Sequence, residues 1–222
     1  MKRMCMVCLT AAAMLGAGCH GKNASSTETA GTSGRSESVP SADRSFVQDI
    51  SQMNAAAIDL SRLAAEKAQS ADVKHFAQMV VDEHTAVGEK LDGVATQNGI
   101  ETRSELDSKD RSRHDTLAAK QGLDFDKDYI DAMVDGHDKF VDTLASRVDK
   151  TTADKWKDRV GKEPDIDKAK ADIKAGTVLP EKSDNDVTQR VNAWAADTYP
   201  AAYTHLLEAK TLKDTLKKRV TD

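Results

Sequence analysis

The chain has 222 residues, 31% of them charged and 4% aromatic, with 12 glycines, 4 prolines and a formal net charge of −5. That length holds one domain with a core plus a tail, and so helix-rich a composition, poor in aromatic residues, argues against a strand-built fold. The charges are of both signs and net acidic, whereas a nucleic-acid partner calls for a basic patch, so none is expected.

Lys2 and Arg3 precede an apolar run over residues 4–15. A dozen residues is too short to span a bilayer, which takes roughly 20, and suits the core of a signal peptide. Gly16, Ala17 and Gly18 then lead into Cys19. Small residues directly before a cysteine resemble the lipobox of bacterial lipoproteins. The resemblance implies removal of residues 1–18, lipid attachment at Cys19 and a membrane as partner. Gly16 stands where the lipobox usually carries leucine, with Leu15 one residue further back. Ordinary signal cleavage, releasing a free soluble protein, therefore stays open as the alternative. All three cysteines (Cys5, Cys8, Cys19) lie within these 19 residues. The mature chain thus has no thiol for catalysis, metal ligation or a disulfide. In the lipoproteins it resembles, the absence of aspartate after the lipidated cysteine, here His20, implies the outer membrane of a Gram-negative host. In another host a cell-surface membrane is implied. Residues 19–44 are rich in Ser, Thr, Gly, Asn and Glu without an aromatic side chain, the composition of a flexible tether.

The domain is expected over residues 45–222. Phe46, Ile50, Met53, Ala57, Leu60, Ala64 and Ala68 recur in alternating steps of four and three, one apolar stripe of a first helix with Ser45 as its cap. A second helix is predicted over 71–97, with Val73, Phe76, Val80, His84, Val87, Leu91 and Val94 on its stripe and Asn98-Gly99 as its stop. A short, charged connector helix follows between a Ser104 cap and Gly122. A third long helix begins near Asp124, its stripe running through Ile130, Val134, His137, Val141, Leu144 and Val148. Residues 149–184 are irregular and long for a bundle connection. Trp156 and Val160 mark one short amphipathic piece there, and Ile166, Ala169 and Ile173 another. The last helix starts after Asp184 and carries Val187, Val191, Trp194, Thr198, Ala202, His205, Ala209, Leu212 and Leu216. Pro200 should kink or restart it, because proline removes a hydrogen bond and clashes with the preceding turn. Four long amphipathic helices bury four stripes most simply as an all-α, antiparallel four-helix bundle.

The blocks LAAEKAQSADVKHFAQMVVDEH, FDKDYIDAMVDGH and YPAAYTHLLEAKTL, in this order, resemble domain-of-unknown-function family 4142 over about residues 46–212. These are exported bacterial proteins assigned to the ferritin-like helical bundles. The resemblance implies that fold outside the cytoplasm and implies no activity.

His84, His137 and His205 each replace an apolar residue in the middle of a stripe, on three different long helices. Mid-helix positions of neighbouring antiparallel helices share a height, so the three imidazoles can meet in the core. Three histidines can bind one copper, iron or zinc ion. They can equally be structural, bonded to the Tyr129, Thr198 or Tyr203 hydroxyl, a backbone carbonyl or water. A di-iron site of the ferritin type is excluded, since it needs E-x-x-H motifs and the residues three before the histidines are Val81, Val134 and Ala202. The family resembled often carries a glutamate in the first helix where this chain has Ala57, and Asp59 should face solvent. Met79 and Met133, near His84 and His137, speak for copper. Elsewhere, His75 and His114 suit surface or covering positions, and Trp156 and Trp194 suit core anchors. Asp82-Glu83 and Asp124-Asp126-Asp128 read as helix charge, since the glycine and glutamate of a calcium loop are missing. No phosphate-cradling loop or nucleophile elbow is present. The expectation is a lipid-anchored envelope protein without an assignable reaction, with a role in binding an envelope partner, polymer or small ligand or a structural, stress-related one. The alternative is a metal-binding or metal-oxidising bundle using the three histidines.

Overall fold

The computed structural model describes residues 38–161 and 178–218. The expected signal segment, Cys19, most of the tether and the piece around Ile166, Ala169 and Ile173 lie outside the described residues. Six helices follow in order: α1 (Ser41–Lys67), α2 (Ala71–Gln97), α3 (Ser108–Ala118), α4 (Gly122–Ala145), α5 (Lys150–Val160) and α6 (Asp186–Lys218). The described residues form no strand, only an isolated bridge between Val148 and Pro180. None of these helices is long and apolar enough to cross a membrane.

The four long helices close a ring in which α1 packs on α2 and α4, and α6 packs on α2 and α4. Side-chain bonds fix the directions. Between α2 and α6, Glu83 meets His205 while Arg190 meets Asn98. Between α4 and α6, Asp131 meets Lys213 and Asp138 meets Lys210. Between α1 and α4, Asp43 meets Arg147 and Ser61 meets Tyr129. Numbers rise on one helix as they fall on the other, so each of these neighbours is antiparallel. Helices α1 and α2 follow the same rule because only residues 68–70 separate them. The expected antiparallel four-helix bundle is the observed fold. Its core is the expected stripes: Ile50, Val73, Phe76, Val80, Ile130, Leu144, Val191 and their neighbours are buried.

Three local expectations are corrected and one is met. First, α1 begins at Ser41, not after a Ser45 cap, so residues 41–44 belong to the bundle and not to the tether. The reason is Asp43. It is buried, and its carboxylate accepts hydrogen bonds from Arg147 of the α4–α5 corner and from Thr188 Oγ1 of α6. Arg147 also lies over the Phe46 ring, 4.6 Å from its centre. Second, α3 starts at Ser108 with Asp107 as its cap, whose Oδ1 accepts from Asp110 N, and Ser104 plays no such part. Third, of the kink or restart expected at Pro200, the restart does not occur, since α6 runs unbroken from Asp186 to Lys218. Tyr199, Pro200 and Ala202 are buried there, and that packing outweighs the one backbone bond proline deletes. The short amphipathic piece expected around Trp156 and Val160 is helix α5. Asp149 caps α5, and Trp156 is buried against the rings of Tyr199 and Tyr203 on α6.

Candidate metal centre

Asn54 and His84 are the central residues of two 27-residue helices, α1 and α2. His137 of α4 and His205 of α6 sit close to the middle of theirs. The antiparallel ring brings these levels together. His84, His137 and His205 are 3%, 2% and 3% exposed. A ring nitrogen of each lies within 4.8 Å of those of the other two. Ring centres are 5.2 Å apart for His84–His137, 5.4 Å for His84–His205 and 5.6 Å for His137–His205. The three sequence-chosen histidines therefore form one cluster. Phe76 and Phe140 pack beside it.

The hydrogen bonds around the cluster decide which nitrogens carry hydrogen. Asn54 Nδ2 donates to the His84 carbonyl at 3.0 Å, which orients its amide so that Oδ1 faces His84 Nδ1 at 2.9 Å. An amide oxygen can only accept, so His84 carries its hydrogen on Nδ1 and a bare lone pair on Nε2. His137 Nδ1 faces the Met133 carbonyl at 2.9 Å and must likewise donate, leaving its Nε2 bare. The two Nε2 atoms face each other at 3.2 Å. Two neutral rings thus meet lone pair to lone pair, an arrangement that a cation between them would satisfy. On the third helix, His205 Nε2 donates to Glu83 Oε2 at 2.9 Å. In the neutral ring its Nδ1 holds the lone pair, and that atom is buried without a hydrogen-bond partner.

This is the outer shell that metal-ligating histidines require. Each ring gives its one hydrogen to an amide, a backbone carbonyl or a carboxylate, and keeps the other nitrogen free. The spacing fits as well. Metal–nitrogen bonds of about 2.0–2.1 Å in a tetrahedral arrangement put two ligand nitrogens about 3.3 Å apart, close to the observed 3.2 Å. Burial, and then the charge of the neighbouring rings, holds His84 well below the usual histidine range. Burial and then His205 push His137 down to about 3, against an opposing contribution from the Met133 carbonyl. Both rings are therefore neutral, as ligands must be.

None of the hydroxyls expected as partners serves the cluster. Tyr129 Oη pairs with Ser61 Oγ at 2.8 Å, Thr198 Oγ1 donates to the Trp194 carbonyl, and Tyr203 stacks on Tyr199. The sequence reading missed the actual partners Asn54 and Glu83, and it missed Gly88. A Cβ on Gly88 would sit 2.9 Å from Asn54 Nδ2, so a side chain there would force the amide that orients His84 to shift. A glycine in mid-helix beside an asparagine in a buried face was the available signal. Met133 gives its carbonyl to His137, while its sulfur lies 3.7 Å from the Ser61 hydroxyl, which donates to it. The other candidates take bland places. His114 bonds Asp59 at 2.6 Å and ties α3 to α1, and His75 is exposed. Trp156 and Trp194 are buried anchors. Asp126 accepts from the backbone N–H groups of Gln69 and Ser70 at the entry to α2, and Asp128 pairs with Lys120.

No curated protein and no solved structure matches the chain. A family described as a domain of unknown function (DUF4142) matches residues 27–164. The match holds Asn54, Glu83, His84 and His137 and ends before α6, so His205 and the third of the sequence blocks lie beyond it. It covers more than half of the chain, which belongs to the DUF4142 family.

Proposed function

We propose that this chain is a metal-binding bundle of the cell envelope, tethered to a membrane through a lipid on Cys19, in which His84, His137 and His205 hold one metal ion. The observation that carries the reading is the facing pair of bare Nε2 atoms, each fixed by a donor bond on the far side of its ring. The buried, unpartnered Nδ1 of His205 supports it as a third donor. Three neutral imidazoles without thiolate suit zinc, copper(II) or iron. The bond from Ser61 to Met133 Sδ occupies that sulfur and weakens the thioether argument for copper. Asn54 and the Met133 carbonyl orient two ligands, and Glu83 orients the third and supplies a negative charge outside the ligand shell. The envelope address rests on Lys2, Arg3, the apolar run and the small residues before Cys19.

Two experiments test this reading. Dialysis against zinc, copper or iron, followed by elemental mass spectrometry, should give one ion per chain. The His84→Gln/His137→Gln double variant should remain helical by circular dichroism and lose the ion. Folded protein without metal, or equal metal in the variant, would refute the site. Labelled fatty acid should be incorporated in a bacterial host and lost in Cys19→Ser; a wild-type chain without label would refute the anchor.

A further inference from the structure

A cleft of about 680 Å³ lies between α1, α3 and α4, and His84 and His137 are among the residues that line it. Its wall includes the small residues Ala56 and Ala57 on α1 and Ala132 and Gly136 on α4, with Met133 and Phe140 beside the histidines. A Cβ built on Gly136 meets nothing within 4 Å, so the space there is real. No residue of α6 lines the cleft, so it reaches the cluster from the side of α1, α3 and α4. Three donors leave one position of a tetrahedral ion unfilled, and protein ligand sets of three characteristically leave that position to water or an outside molecule. We infer that this position opens into the cleft and takes a small anion from solution.

The preference for an anion follows from charge. Three neutral imidazoles do nothing to neutralise a divalent ion, and in a buried site that charge is costly. Glu83 offsets one unit from outside the ligand shell. A monovalent anion in the fourth position offsets the other. The cleft lining does not make the choice, because it carries Asp49, Asp107, Asp110 and Asp135 against Lys109, Arg113 and Lys139. Ala57 matters for access: a long side chain there would occupy the space that an exchangeable ligand needs.

This inference rests on the metal site proposed above, and cobalt(II) separates the two. The full chain is loaded with cobalt and its visible absorption recorded, then titrated with azide. Tetrahedral three-nitrogen cobalt should show ligand-field bands that shift on adding azide. Gly136→Leu and Ala57→Leu, which fill the cleft without touching a ligand, should keep the cobalt bands and bind azide at least tenfold more weakly. Cobalt bands that ignore azide in the wild-type chain would overturn the open position while leaving the metal site intact. A wild-type response retained unchanged in both leucine variants would overturn the route through the cleft. Folded protein that takes up no cobalt would overturn the metal site itself and the open position with it.

Discussion

Each histidine of the cluster depends on one neighbour that holds its hydrogen. Glu83→Gln removes the carboxylate behind His205, and Asn54→Leu removes the amide behind His84. Losses of outer-shell partners typically cost 10–100-fold in metal affinity, and each variant should weaken zinc binding by roughly that factor in competition titrations. Gly88→Ala should act like Asn54→Leu, since the added carbon displaces the same amide. A Gly88→Ala chain with wild-type zinc affinity would show that the amide does not position His84. The depressed affinity of His84 and His137 for protons has a signed consequence for the metal-free chain. Their folded values lie below the unfolded value of about 6.5, so the unfolded chain binds the extra protons on acidification. The stability these neutral rings contribute is present above about pH 6.5 and is lost progressively as pH falls toward 3. Thermal unfolding without metal should therefore shift to lower temperature between pH 6.5 and 5. The three histidines were legible in the sequence because each interrupts an apolar stripe. Of their partners, a backbone carbonyl was expected without its place, and Asn54 and Glu83 were not expected. Asn54 lies beside the stripe that hydrophobicity alone selects, Glu83 follows an aspartate on a polar face, and a backbone carbonyl leaves no mark in a sequence.

The helices themselves show where punctuation suffices. The bounds of α2 agree with the sequence reading at both ends, because Asn98 and Gly99 terminate it and Gly99 takes the left-handed conformation, φ 63°. The start of α1 was hidden because Ser41 to Arg44 have the composition of a tether. They are helical because Arg147 and Thr188, more than 100 residues away, bind Asp43. The entry to α2 is likewise held from afar. Ser70 makes no side-chain cap, and Asp126 of α4 accepts the N–H groups of Gln69 and Ser70 at 2.9 and 2.8 Å. Asp126→Ala leaves two N–H groups unpaired, one of them in a buried bond, which should cost about 1–3 kcal/mol in urea unfolding. A change under about 0.5 kcal/mol would mean that water replaces the carboxylate. The uninterrupted α6 shows the same rule from the other side, since the local effect of Pro200 yields to the burial of Tyr199 and Ala202. Local signals set these ends except where a distant side chain overrides them.

At the scale of the molecule, the four helices meet around a cluster to which three of them contribute a histidine and the fourth, α1, an orienting amide. A metal bound there engages α2, α4 and α6 together and binds the folded state alone. At a free concentration a hundred times its dissociation constant, such a ligand adds about 2.7 kcal/mol, or a rise of roughly 5–10 °C in Tm for a chain of this size. The bundle was readable from four stripes and their spacing. The cleft was not, because it arises where small residues of α1 and α4 face each other under α3, a juxtaposition that only the packed ring creates. The centre itself is tested most directly by zinc K-edge X-ray absorption on the loaded chain. Three nitrogen donors at about 2.0 Å with the outer-shell scattering of imidazole rings are expected, reduced in the His84→Gln/His137→Gln variant. A first shell of oxygens without imidazole scattering would contradict a three-histidine centre.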